Sequence, residues 1–119
     1  KALCRKYGFN SPYQCNAIIS RAQEPPTKMI ELNSLRFGDV GMVTAPFELF
    51  NTLGLMIKEG SPFPVTVVKC YSCGKFSYLP SLNTVPYSYG YDCMRVAPGT
   101  GEKIAEHFAE VLTEMNEKA

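Results

Sequence analysis

The residues of this sequence with the most obvious chemistry are few and far apart. Cys70-Tyr71-Ser72-Cys73 has the spacing of a zinc knuckle or a redox pair. A zinc ribbon needs a second pair to complete four ligands. Only Cys93 and the single histidine, His107, follow, at a spacing that fits no familiar site. A thioredoxin-like pair sits at a helix N-terminus, which lowers the thiol pKa. This pair instead follows a β-branched run and precedes Gly74. The five cysteines (Cys4, Cys15, Cys70, Cys73 and Cys93) are odd in number and irregularly spaced. They read as reduced, buried thiols and not as a disulfide framework. His107 stands beside Phe108 at the edge of a helical apolar face and reads as a surface or boundary residue. No Ser-His-Asp set can be assembled around it.

Two further features touch on catalysis. Pro98-Gly99-Thr100-Gly101-Glu102-Lys103 resembles a phosphate loop only in outline, because Glu102 separates Gly101 from Lys103 and Ile104 stands where a hydroxyl is needed. A carboxylate there repels phosphate, so a helix start capped by Thr100 explains these residues better. Glu48 follows Thr44-Ala45-Pro46-Phe47, just past an expected strand end, where open α/β sheets build their sites. It reads either as a charge suited to a helix start or as a metal-directed carboxylate.

The elements that must position these residues follow from periodicity. Lys1 to Gln23 reads as helical pieces broken at Gly8–Pro12, and Pro25–Pro26 ends the segment. Met29 to Leu32 with Leu35 to Phe37, and then Val40 to Thr44, read as strands joined at Gly38–Asp39. Thr44 as N-cap and Pro46 in the first turn predict a helix with Phe47, Phe50, Leu53 and Ile57 on one face, stopping at Gly60. Val65 to Lys69 reads as a buried strand. Cys70 to Arg95 is irregular and rich in tyrosine: Tyr71, Tyr78, Tyr87, Tyr89 and Tyr91. A loop of that length is usually functional or packed on a partner. The last helix runs from Thr100 to about Glu117, with Ile104, Phe108, Val111, Leu112 and Met115 on its apolar face. Glu102, Glu106, Glu110 and Glu114 form an acidic stripe expected to be solvated.

The 119 residues suit a single α/β piece, and a hydrophobic content of 45% is enough for one core. Net charge is +1 and the twelve basic residues form no run, so no nucleic-acid partner is expected. No stretch reaches the roughly 18 apolar residues of a membrane span. The chain opens on Lys1 and lacks a complete catalytic set, so it is expected to be a carboxy-terminal piece of a longer protein.

Leu35-Arg36-Phe37-Gly38-Asp39-Val40 followed by Thr44-Ala45-Pro46-Phe47-Glu48 resembles the neutral/alkaline ceramidase superfamily near the end of its catalytic domain. Tyr78-Leu79-Pro80-Ser81, Tyr87 and Gly90-Tyr91-Asp92 resemble a later segment of the same family. Pro98 to Glu102 and the last helix fit its closing part. The likeness covers roughly residues 27–115 and is to uncharacterised bacterial members more than to the ceramidases themselves.

The resemblance implies a zinc-dependent amidase. In the family two histidines, a glutamate and a tyrosine hold zinc, and a serine attacks the amide of an N-acylsphingosine. By position, Glu48 matches the metal-binding glutamate, and Tyr78 matches the second of two loop tyrosines as an active-site phenol. The first is Lys75 here, a cation and a poor zinc ligand. The family's histidines and serine have no counterpart in this chain, so it is expected to be inactive alone and to hold no zinc tightly. Residues 1–26 then form a helical lead-in and 27–119 the ceramidase-like segment. Its unpartnered apolar face is expected to pack on the missing upstream part of the same protein or on a second copy. The alternative reading is a non-catalytic binding module that uses the tyrosine-rich loop 70–95 as its contact surface.

Overall fold

A computed structural model describes residues 2–9, 11–84 and 93–118 of the chain. Tyr87, Tyr89 and Gly90-Tyr91-Asp92, counted above in the loop and the family segment, lie outside the described residues. The fold is α/β, in the order α1 (Ala2–Lys6), α2 (Pro12–Ala22), β1 (Asn33–Phe37), β2 (Val40–Thr44), β3 (Phe47–Leu49), α3 (Asn51–Glu59), β4 (Val65–Lys69), β5 (Ser77–Leu79) and α4 (Thr100–Glu117). The expected hairpin forms: β1 and β2 pair antiparallel, with Phe37 opposite Val40 across Gly38–Asp39. Gly38 has φ 52°, a left-handed conformation that glycine adopts without a Cβ penalty. β4 then returns parallel to β2, which requires a crossover, and α3 lies in that connection. The resulting sheet has the order β1-β2-β4, and β3 and β5 form a separate parallel pair.

The core lies against one face of the three-stranded sheet. Val43 of β2, Leu53 and Ile57 of α3, and Ile104, Ala105, Phe108 and Leu112 of α4 are buried together with Phe47 and Leu79. The α4 residues recur at helical spacing, as expected from the sequence, whereas Val111 and Met115 are only half-buried. Gly41 leaves room for the Phe63 ring and for Leu112 of α4: a Cβ there would sit 2.6 Å from Phe63 Cδ2 and 3.0 Å from Leu112 Cδ2. Arg36 covers the end of this layer, its guanidinium 5.3 Å from the Phe63 ring centre and its Nη1 donating to the Met115 carbonyl at 3.0 Å.

Several local expectations give way to tertiary contacts. The helix expected from Thr44 onward begins only at Asn51, with Phe50 as an N-cap that has no side-chain bond. Residues 45–49 stay extended because their backbone is claimed by later chain. Ala45 N–H donates to the Lys69 carbonyl, and Tyr71, Ser72 and Phe76 N–H donate to the carbonyls of Phe47, Ala45 and Pro46. Phe47 is fully buried and meets Phe76 edge-on at 5.3 Å. The N-cap of α4 is Gly99 at φ 84°, not Thr100, which begins the helix. β4 is a sheet edge and not a buried strand, with Val65 and Val67 exposed. Glu102 leaves the solvated stripe: its Oε1 accepts from Leu82 N–H at 2.7 Å, and its Oε2 is buried without a hydrogen-bond partner among the described residues. The thiols are free but not buried, since Cys73 is exposed and the other four are half-buried. Among the described residues, no helix is long and apolar enough to cross a membrane.

Candidate functional site

Glu48 and Tyr78, separated by thirty positions in sequence, are brought together by the parallel β3–β5 pair. Their Cα atoms are register partners, flanked by Phe47 opposite Ser77 and Leu49 opposite Leu79. Cross-strand partners project to the same side of a pleated pair. Burial of Phe47 and Leu79 anchors the two strands, so the polar pair between them is held on a packed base. Tyr78 also packs edge-on against Phe50, with ring centres 6.4 Å apart.

A third side chain completes the group. Tyr71 Oη donates to Glu48 Oε2 at 2.8 Å, while Tyr71 N–H is bonded to the Phe47 carbonyl at 3.1 Å. The loop that delivers it is strained. Tyr71 (φ 50°) and Cys73 (φ 59°) are both left-handed without being glycine, and Gly74 follows at φ 142°. The hydrogen bond to the Glu48 carboxylate holds the phenol in its protonated form. Lost hydration and the Glu48 charge add to it, and the Tyr71 pKa is pushed up from 10 to about 12. Glu48 is therefore not at a helix N-terminus as expected. A phenolic O–H, and not a helix dipole, faces its charge.

Beside this group runs a groove of about 530 Å³, within the size range of small-molecule sites. Tyr71, Lys75 and Tyr78 line one side, and Tyr13, Ser20 and Arg21 of α2 line the other. α2 is tied over it by the Glu24–Arg95 ion pair at 3.1 Å and by Tyr13 Oη against Cys93 Sγ at 3.2 Å. The Lys75 ammonium lies 5.8 Å from the Tyr71 ring centre, a cation–π distance.

No family model, curated protein or solved structure matches this chain.

The remaining chemical candidates do not join the group. His107 is exposed on α4 with its ring near Phe108. Cys73 Sγ accepts from Asn33 Nδ2, which also donates to Glu31 Oε1. Lost hydration, then the hydrogen bond and charge of Glu31, raise the Cys73 thiol pKa against the opposing pull of Lys69. A redox nucleophile needs the opposite shift. Among the described residues, no group of three or more His, Cys, Asp or Glu could hold a metal ion. Zinc sites draw four donors from thiolate, imidazole and carboxylate. One carboxylate with phenols and a nearby ammonium does not amount to a zinc site, so the described donors do not fit the metal unaided. Tyr71 is the residue that sequence reasoning missed. It is hidden inside the Cys-x-x-Cys motif, and only the pairing of the 70s loop with β3 reveals its role.

Proposed function

We propose that this chain is the carboxy-terminal segment of a ceramidase-superfamily hydrolase-like protein, inactive alone because the nucleophile and histidine ligands are absent from it. The observation that carries this reading is the β3–β5 register, in which Glu48 stands opposite Tyr78. These are the two positions that the family resemblance singles out, and no feature of local sequence pairs them. In this reading Glu48 is the carboxylate the segment offers to zinc in the parent protein, and Tyr78 is an active-site phenol. Lys75 replaces the family's first loop tyrosine, and Tyr71 brings a phenol to Glu48 from earlier in the same loop. The test is zinc content and N-acyl amide hydrolysis of the parent protein, beside its Glu48→Ala variant and the isolated chain. Activity and zinc in the parent alone, both lost in the variant, are expected. Full zinc and activity in Glu48→Ala would remove Glu48 from the site. An upstream sequence lacking a histidine pair and a serine would sink the hydrolase reading.

A second reading, a binding module using loop 70–95, is favoured by the exposure of Tyr71 and Leu82 on that loop. It predicts that Leu82→Ala weakens partner capture and that the parent protein shows no N-acyl amide hydrolysis.

A further inference from the structure

A second groove adjoins the one beside Glu48 and Tyr78, and neither of those residues lines it. It has a volume of about 720 Å³, again within the range of small-molecule sites. Separate stretches of chain enclose it: residues 24–30, Phe47 of β3, Phe76, and residues 95–100 at the entry to α4. Its apolar wall is fixed by the core. Ile30, Phe76 and Val96 are half-buried and pack against the buried cluster, and Phe47 meets Phe76 edge-on. Pro25 and Pro26 add a stiff side that offers no backbone N–H. Hydrocarbon laid on such a wall is removed from water, which favours binding.

The charges around this groove do not balance. Its charged lining residues are Lys28, Arg95 and Glu24, two cations against one carboxylate. Arg95 is answered by Glu24 at 3.1 Å. Lys28 is not: among the described residues no carboxylate forms an ion pair with it. Its ammonium instead lies 4.2 Å from the Phe76 ring centre. A ring face attracts a cation and holds it in place without cancelling its charge. One positive charge is thereby fixed on the groove's apolar wall.

We propose that this groove binds a medium-chain monocarboxylate, with its hydrocarbon on Ile30, Phe76 and Val96 and its carboxylate on Lys28. A single head charge matches the single unanswered cation, whereas a phosphate dianion exceeds it. A neutral alcohol leaves Lys28 without a counter-charge, and a small bare anion leaves the apolar wall wet. A peptide segment fits less well, because its own N–H and C=O groups need partners and the proline side supplies no donor. The site is separate from Glu48 and Tyr78, so it holds whether or not the parent protein cleaves amides.

The test is an amide NMR titration of the 119-residue chain at neutral pH with hexanoate, octanoate and decanoate, each below its micellar concentration. Octanol and acetate serve as the body without the charge and the charge without the body. Saturable shifts are expected at residues 27–30, Phe76 and 95–97, with affinity rising about two- to fourfold per added methylene. Lys28→Gln, at an exposed position that leaves the core untouched, should weaken octanoate roughly three- to tenfold and leave octanol unchanged. Absence of saturable octanoate binding overturns the proposal. So does octanol binding as tightly as octanoate, or octanoate binding indifferent to Lys28→Gln, because Lys28 would then recognise no head group. Shifts confined to residues outside the groove overturn it as well.

Discussion

If the Glu48 carboxylate holds the Tyr71 proton, then Glu48→Gln should release it. The wild-type phenol titrates near 12 because a 2.8 Å hydrogen bond and a neighbouring negative charge both favour the protonated form. Glutamine keeps an acceptor oxygen but removes the charge, so the pKa should fall back toward 10, up to a hundredfold in the dissociation constant. The difference is largest at pH 11. There, about one tenth of Tyr71 is ionised in the wild type, against about nine tenths if the variant returns fully to 10. The ζ-carbon shift of labelled tyrosine reports this, with Tyr71→Phe assigning the resonance. Stability follows with a definite sign. A pKa raised on folding contributes stability that is fully present below pH 10 and is lost as pH rises to about 12. Tyr71 is 40% exposed, so solvent screening leaves less than about 1 kcal/mol of that contribution. A Tyr71 titration centred near 10 in the wild type, or one unmoved by Glu48→Gln, would refute the pairing.

Gly41→Ala drives a methyl into Phe63 and Leu112 and should cost about 1–3 kcal/mol, lowering the thermal midpoint by roughly 4 °C per kcal/mol. An unchanged midpoint in calorimetry would mean that α4 does not seat on β2 at this point. Glu102→Ala frees the Leu82 amide from its 2.7 Å bond and should cost about 1–2 kcal/mol. Faster hydrogen exchange at Leu82 is the direct readout, and unchanged protection there would refute the contact. Leu53→Ala, at a fully buried position between α3 and α4, should cost about 2–5 kcal/mol in chemical denaturation.

Where local chemistry determines structure, the sequence alone was sufficient. The bend at Gly38–Asp39 needs a residue tolerant of positive φ, and glycine stands there. The apolar spacing of Ile104, Phe108 and Leu112 admits only a helix with one buried face, and that helix forms. The α/β class follows from the order of such segments. Glu48 and Tyr78 could be named because the residues around them resemble a family motif. Their adjacency could not, since it depends on β3 pairing with strand residues thirty positions later. The same pairing kept residues 45–49 extended where Thr44 and Pro46 signalled a helix, because several backbone hydrogen bonds and a buried Phe47 outweigh a weak local propensity. Tyr71 as the partner of Glu48, Glu102 as the acceptor for Leu82 and β4 as an exposed edge share this origin. Each is set by contacts between distant parts of the chain, and periodicity carries no record of which distant segments meet.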